Sequence, residues 1–409
     1  MAVRLALIGC GGISQQHLNG YTAIKAAEPD LFELVATCDA DRERAEAAAA
    51  AAAAWQQAPP RVYTDVAELL DCERLDAADI CTPHFLHHTV GDACLAAGVH
   101  VQIEKPIGVT VRATRQLIEA ARRSGKILAT AENVRRMPGP RTAHWLFHER
   151  GLLGAPAALY SQRVATPRRP RAGQPPAPGA AGAPVEPPWV WRMDRALSGG
   201  GPVLDSGAHF CDTIRYLYGD VESCYGRVLQ LRERKARRGD ALVPVETEDT
   251  FLATLNFAGG AVGFWSVSTA LPGHQIATIA YYGRDGAIVE PRDPFHGPTL
   301  AAQVTLRDGE AQPLETYYHE YLDALGEAGR QRLFPHGLTD GFALEVYDFL
   351  TAVRDNRPPE IDGEAGLRAK AIALAIYESA TTGQVVRVDD VLAGRARDYQ
   401  RPIDGQWGL

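Results

Sequence analysis

The sequence predicts a doubly wound α/β domain followed by an α+β domain built on a mainly antiparallel sheet. Three observations carry this expectation. At 409 residues the chain exceeds what one ordinary hydrophobic core organises, so two domains are expected. Residues 1–130 alternate short apolar runs with helical stretches, the pattern of a parallel sheet covered by helices. After Ala131 the rhythm changes to strand-like segments that alternate with period two, which suits antiparallel pairing.

In the first domain the apolar runs are residues 3–8, 34–38, 77–81, 99–103 and 127–131. Helices are predicted over 14–27 and 42–54. The second of these is alanine-rich, and its low complexity suits an ordinary surface helix because Ala has the highest helix propensity. The second domain (131–409) opens with a helix over 141–150, and strands follow at 157–164, 250–257, 261–269 and 275–282. Alternation is clearest where Phe251, Ala253, Leu255 and Phe257 interleave with Leu252, Thr254 and Asn256. Two late helices, 344–354 and 366–382, are expected to pack back on the first domain. Residues 167–188, rich in Pro, Ala, Gly and Arg, bury little surface and are expected to be disordered or a subunit-contact arm, ahead of a lid.

Hydrophobic content of 46% with 22% charged residues is that of a globular chain. The formal charge of −8 argues against a nucleic-acid or anionic-membrane partner, both of which need a basic face. The seven cysteines are scattered, without a C-x-x-C pair, and an odd count lacking a framework suits a reducing, cytoplasmic compartment. The N-terminal apolar run is too short for a signal peptide and ends in Gly9-Cys10-Gly11-Gly12. No stretch approaches the roughly 20 apolar residues of a membrane span.

That glycine turn, continuing into Ile13 and Ser14, follows a predicted strand and opens a predicted helix. Such a turn lets backbone amides approach a pyrophosphate, which then rests on the positive helix N-terminus. Ser14 replaces the usual third glycine, so a tight turn without a ligand is the other reading. Asp39 shifts the balance. It ends the next predicted strand, 25 residues after Ser14, where a carboxylate accepts both ribose hydroxyls of NAD and repels the extra phosphate of NADP. Asp41 adds to that repulsion, whereas Arg42 leaves NADP open. NAD is the expected cofactor.

Three further stretches carry a specific resemblance: Asp79-Ile-Cys-Thr82-Pro83-His84-Phe-Leu-His87, then Ala96-Ala-Gly98-Val-His-Val-Gln-Ile-Glu104-Lys105-Pro106, then Gly199-Gly-Gly-Pro-Val-Leu-Asp205-Ser-Gly-Ala-His209. With the glycine turn, in this order and spacing, they resemble the glucose–fructose oxidoreductase/inositol dehydrogenase (Gfo/Idh/MocA) family. The similarity runs from residue 3 to about residue 390; the proline-rich stretch and the tail after Asp390 lie outside it. The resemblance implies an α/β Rossmann domain followed by an α+β domain with an open-faced, mainly antiparallel sheet, with the active site in the cleft between them. It also implies NAD or NADP, substrates that are sugars, inositols or sugar derivatives, and a homodimer or homotetramer that buries the open sheet face. Phe264, Trp265, Val267 and the 251–257 strand offer apolar residues on both faces, in agreement.

Oxidising a secondary alcohol requires a hydride to leave carbon and a proton to leave oxygen. A neutral imidazole with a pKa near ~6.5 is matched to take that proton. Asp205 and His209 stand four residues apart in a predicted helix, hence on one face. Lys105 follows a predicted strand at its C-terminal end, where ligands of doubly wound sheets collect. By resemblance, His209 is the general acid/base, Lys105 polarises the reacting hydroxyl, and Asp205 is their companion. The Lys105–Pro106 bond is expected to be cis in the family manner. The cofactor would be met by Gly9, Gly11, Gly12, Ile13, Ser14, Asp39, Thr82, Pro83, His84, His87, Glu104 and Lys105. Thr82 and Pro83 would lie under the nicotinamide and its ribose, with His87 facing the cleft.

His84, His87 and His88 invite a metal reading, but no closing ligand set accompanies them, so no metal is expected. Asn133 and Arg135 follow the last Rossmann strand and are candidate substrate contacts, with a salt-bridged hinge as the alternative. Trp191 and Arg192 precede the glycine triplet and could stack on or hydrogen-bond a sugar ring, with a core role as the alternative. Three functions fit these residues. The first is a dehydrogenase that exchanges free NAD and NADH. The second retains NAD and cleaves or epimerises a glycoside through transient oxidation. The third is a non-catalytic NAD-binding sugar sensor, a role that tends to dispense with the reactive lysine.

Overall fold

In the computed structural model, which describes residues 2–165, 184–185, 189–291 and 296–409, the run Val3–Ile8 forms strand β1 at the centre of a parallel sheet. Helix α1 (Ser14–Ala27) follows, then β2 (Phe32–Cys38), α2 (Arg42–Ala52), β3 (Arg61–Tyr63), α3 (Val66–Cys72), β4 (Ala77–Ile80), α4 (His87–Ala96), β5 (His100–Glu104), α5 (Val111–Ser124) and β6 (Leu128–Ala131). The strand order is β3-β2-β1-β4-β5-β6, all parallel. The chain therefore leaves β1 to one side and returns to β4 on the other. That reversal makes the C-terminal ends of β1 and β4 a topological switch point.

Both sheet faces are covered, which explains why β1 is apolar at nearly every position. Val3, Leu5 and Leu7 join Leu18, Tyr21 and Ile24 of α1 on one side. Ala6 and Ile8 join Cys94, Val101, Ile103 and Leu117 on the other. The alanine-rich α2 buries Ala45, Ala48, Ala49 and Ala52, so it is a sheet-packed helix and not merely a surface one, and it stops at Ala52. β3 and α3 go beyond the predicted elements; at three and seven residues they are too short to show a period.

The second unit begins with α6 (Pro138–His148), β7 (Pro156–Val164), α7 (Arg195–Ser198) and α8 (Gly207–Tyr218). Strands β8 (Val221–Leu229), β9 (Lys235–Arg238), β10 (Ala241–Pro244), β11 (Thr250–Phe257), β12 (Val262–Ser268), β13 (Ile276–Gly283), β14 (Gly286–Glu290), β15 (Gln303–Leu306) and β16 (Gln312–Pro313) follow. After α9 (Leu314–Leu333), broken at Gly326, come α10 (Gly341–Asp355), α11 (Gly363–Thr382), β17 (Val386–Arg387), α12 (Val388–Leu392) and α13 (Arg401–Trp407). The sheet order is β16-β15-β14-β13-β7-β12-β11-β8-β17, in which β7–β12 is the one parallel pair among the described residues. One face packs on helices: Phe210 of α8 lies 4.5 Å from the Trp265 ring, and Gly226 leaves room for Ile376 of α11. On the other face Tyr160, Tyr225, Leu252, Val262 and Tyr282 are exposed. The sheet is thus open-faced and mainly antiparallel.

Compact units do not follow simple chain halves. The first takes Met1–Met137 and then Leu325–Arg368; the second takes Pro138–Ala324 and Ala369–Leu409. Helix α10 packs on α1, where a Cβ at Gly20 would stand 3.1 Å from the Ala343 backbone nitrogen. After α10 and α11 the chain continues through β17, α12 and α13. Of the proline-rich stretch 167–188 only residues 184 and 185 are described, so the expectation of an arm or disorder lies outside the described residues. No helix among the described residues is long and apolar enough to cross a membrane.

Candidate active site

At the end of β1 the backbone turns through Gly9, whose φ of 89° favours glycine. A Cβ there would stand 2.6 Å from the carbonyl carbon of Cys81, so no other residue lets β1 turn so close to the end of β4. A Cβ at Gly11 or Gly12 would meet no protein atom within 4 Å. Ile13 is the N-cap of α1, and no side chain caps that helix; Ser14 Oγ donates instead to Gly11 O at 2.6 Å. Uncapped first-turn amides at a positive helix end fit the pyrophosphate of a dinucleotide. Asp39, half-buried after β2, is held beside this turn: Oδ2 accepts from Cys10 N at 2.7 Å and Oδ1 from Asp41 N at 2.9 Å. Each oxygen keeps a lone pair for a ribose hydroxyl. Arg42, which left NADP open, is turned toward Glu46 at 3.8 Å. Asp39→Ala is expected to weaken NAD binding by about 10–100-fold, the worth of one or two hydrogen bonds to a charged group. Calorimetric titration with NAD and NADP checks this; unchanged NAD affinity would contradict the placement.

Beyond β4, Thr82 and Pro83 lie half-buried at the switch point, and Thr82 Oγ1 is a buried hydroxyl without a hydrogen-bond partner among the described residues. His84 is buried in the short turn that follows. His87 corrects an expectation. Its side chain is 0% exposed, with Nε2 2.8 Å from Thr82 O and Nδ1 3.0 Å from Pro106 O. Burial lowers its pKa, so the neutral ring joins the loop after β4 to the loop after β5 and does not face a ligand.

Lys105 directly follows β5, half-buried, and the Lys105–Pro106 bond is cis. Glu104, expected to contact the cofactor, instead turns inward: its Oε1 lies 3.1 Å from Nε2 of the buried His17. His17, on α1, is a centre that the sequence reading missed. Its Nδ1 lies 2.8 Å from Asp79 Oδ2, which also accepts from Tyr21 Oη at 2.6 Å, while Gln102 Nε2 donates to Asp79 Oδ1 at 3.3 Å. Glu345 of α10 brings a carboxylate oxygen to 3.7 Å from His17 Nε2. Burial opposes a charge on His17, but the Asp79 carboxylate overrides it and holds the pKa well above the ordinary value. Burial raises the Glu345 pKa well above the ordinary carboxylate value. Ligand-type atoms of His17, Glu104 and Glu345 gather within 4.8 Å of one another, as do those of His17, Asp79 and Cys81. The available sequence signal was Asp79 itself, a carboxylate in a strand otherwise made of Ala and Ile, which requires a partner.

Asn133 and Arg135 stand half-buried at the turn after β6, and Asn133 Oδ1 has no partner among the described residues. The buried salt bridges of this turn fall on Arg136, which meets Asp348 and Glu360, each at 3.1 Å.

In the second unit, Gly199 (φ 80°) and Gly200 (φ 155°) lead from α7 into the turn before α8. A Cβ at Gly201 would stand 2.6 Å from Glu248 Oε2. The Glu248 carboxylate accepts from Gly201 N and Val203 N, each at 3.0 Å, and from Tyr377 Oη at 2.7 Å. Asp205 is a third correction. Pro202 and the glycines keep this stretch in turns, so α8 starts only at Gly207, and Asp205 precedes the helix that holds His209. The shared-face argument therefore fails, and Asp205 pairs with Arg192. Arg192 also lies over the Trp191 ring, 4.6 Å from its centroid, which links three candidate residues into one cluster. His209 is half-buried in the first turn of α8, its ring 5.4 Å from that of His296. Lys105 with the dinucleotide turn thus belongs to the first unit, and Asp205, His209, Trp191 and Arg192 to the second.

Comparison with known proteins adds an independent finding. The sequence model of an oxidoreductase family (GFO_IDH_MocA, NAD-binding Rossmann fold) matches residues 3–132, and that of the family's C-terminal alpha/beta domain matches residues 181–388. The chain is 24% identical to 1,5-anhydro-D-fructose reductase of Ensifer adhaerens over 391 residues, covering 94% of this chain and 98% of that protein. It is 25% identical to myo-inositol 2-dehydrogenase of Thermotoga maritima over 393 residues, covering 95% and 100%. Among solved structures, an NAD-binding oxidoreductase from Klebsiella pneumoniae superposes with a TM-score of 0.73 at 25% identity, covering 95% of this chain and 99% of that one.

Proposed function

Because the chain belongs to the Gfo/Idh/MocA family of NAD-binding oxidoreductases, we propose that it moves a hydride between a secondary hydroxyl of a sugar, cyclitol or sugar derivative and the nicotinamide of NAD. The observation that carries this reading is Lys105 at the C-terminal end of β5, two strands from the uncapped glycine turn and next to the switch-point strand β4. NAD, when bound, supplies the carbon that accepts or returns the hydride. The ammonium of Lys105 hydrogen-bonds the reacting oxygen and stabilises the alkoxide charge that develops on it. His209 takes the hydroxyl proton as general base and returns it as general acid in the reverse direction. Asp205, fixed by Arg192, holds a neighbouring hydroxyl, while Trp191 offers a ring face to the sugar. Asn133 and Arg135 are proposed as further hydroxyl contacts.

The names of the two relatives, a sugar reductase and a cyclitol dehydrogenase, support a substrate of this class. Seven free cysteines, six of them buried, support a reducing, cytoplasmic compartment. The direct test incubates the protein with NAD and a panel of inositols, aldoses, sugar acids and glycosides, following the near-ultraviolet absorbance of NADH. Growth with one class is expected; a flat response to the whole panel despite tight NAD binding would overturn the reading.

The exposed side chains of Tyr160, Leu252, Val262 and Tyr282 on the open sheet face support a homo-oligomer that covers this face. Tyr160→Lys with Val262→Lys is expected to yield monomers by sedimentation velocity. An unchanged oligomer, or a monomeric unmodified protein, would contradict this.

A further inference from the structure

The tail beyond residue 388 lies outside the matched family region, yet it is tied tightly into the second unit. Glu378 of α11, itself buried, accepts from Tyr399 N at 2.8 Å, Gln400 N at 3.3 Å and Gln400 Nε2 at 3.0 Å. The Tyr399 ring stacks on Tyr377, with centroids 4.4 Å apart and planes 5° from parallel. Its hydroxyl donates to Gly199 O at 3.1 Å, and Trp407 Nε1 donates to Ala196 O at 2.8 Å. Tyr377 continues the chain of contacts, because its hydroxyl accepts from Gly201 N at 2.9 Å while donating to Glu248.

These contacts converge on one stretch of backbone. Residues 196–201 run from α7 through three consecutive glycines toward Asp205 and His209. A glycine triplet has the greatest backbone freedom of any sequence, so it holds one conformation only if outside groups fix its peptides. Here the Ala196 and Gly199 carbonyls are held by the tail, and the Gly201 amide is held by the tyrosine on which the tail stacks. We propose that Tyr399 and Trp407 are positioning residues: the C-terminal tail braces the glycine turn and thereby sets the placement of Asp205 and His209 toward the polyol. This rests on the reading that Asp205 and His209 meet the substrate.

The test uses full-length Tyr399→Phe, which keeps the stacked ring and removes only the hydroxyl, and Trp407→Phe, which removes the indole donor and trims the ring system. Hydrogen–deuterium exchange is measured along the chain, with NAD affinity and the polyol kcat and KM. Exchange at 199–205 is expected to rise about five- to tenfold in each variant, as the loss of one hydrogen bond implies. KM for the polyol rises and kcat falls, while NAD affinity, a property of the first unit, is unchanged. Unaltered exchange at 199–205 in both variants overturns the proposal, and so does a rise spread evenly over the second unit, which marks a merely stabilising tail. The exchange readout needs no substrate. A protein that turns over no polyol therefore fails the functional reading alone, and the brace is still judged.

Discussion

Lys105→Ala is expected to lower kcat/KM for the polyol by about 10²–10⁴-fold while leaving the Kd for NAD unchanged. The asymmetry follows from where the residue sits. Lys105 lies after β5, whereas the proposed pyrophosphate and ribose contacts lie at Gly9–Ser14 and Asp39, on β1 and β2. Deleting the ammonium removes a donor to the developing alkoxide and leaves the dinucleotide turn intact. Lys105→Arg is expected to recover little, since a planar fork cannot replace a compact ammonium on a positioned oxygen. Steady-state kinetics paired with calorimetric NAD titration check the pair of statements. Full turnover in Lys105→Ala would remove the lysine from the chemistry, and a parallel loss of NAD affinity would make its expected cofactor contact the larger role.

His17→Asn is expected to destabilise the first unit by roughly 3–5 kcal/mol, because it leaves the Asp79 and Glu104 carboxylates buried without their cation. The effect depends on pH in a defined sense. The pKa of His17 is raised on folding, so its stabilising charge is present in full below the unfolded value of about 6.5 and is lost as pH rises through the higher folded value. The stability difference between the native protein and His17→Asn should therefore be largest at neutral pH and below, and should shrink on the alkaline side. Urea unfolding at several pH values measures it. A gap below about 1 kcal/mol at neutral pH would place His17 among ordinary exposed pairs and contradict the buried network. Because Glu104 directly precedes Lys105, the same variant is also expected to lower kcat.

Local chemistry made much of this legible. β1, the glycine turn, α1 and Asp39 announce themselves because a buried strand, a φ near +90° and a ribose partner each need particular residues at close spacing. The alternation at 251–257 likewise reports a sheet with one helix-covered face. Contacts distant in sequence left weaker traces. The return of 325–368 to the first unit rests on α10 meeting α1 at Gly20 and Ala343, a close approach with no local pattern. A helix that includes both Asp205 and His209 would set them on one face, but Pro202 and the glycine triplet delay the helix start until Gly207. The motifs of Glu104 and His87 point outward, but burial turns both side chains inward: one meets His17, the other two carbonyl oxygens. A carboxylate or imidazole at a strand end can serve a ligand or the core, and only the three-dimensional partners decide which.

Passage of a hydride between NAD and a carbon of a sugar-like polyol is open to test in the reductive direction. The protein is incubated with NADH deuterated at the nicotinamide C4 and a panel of keto-sugars and keto-cyclitols, and the products are examined by mass spectrometry. A reduced product carrying one deuterium on the former carbonyl carbon is expected, with labelling suppressed in Lys105→Ala. A protein that binds the deuterated NADH yet transfers no label to any carbonyl of this class would contradict it.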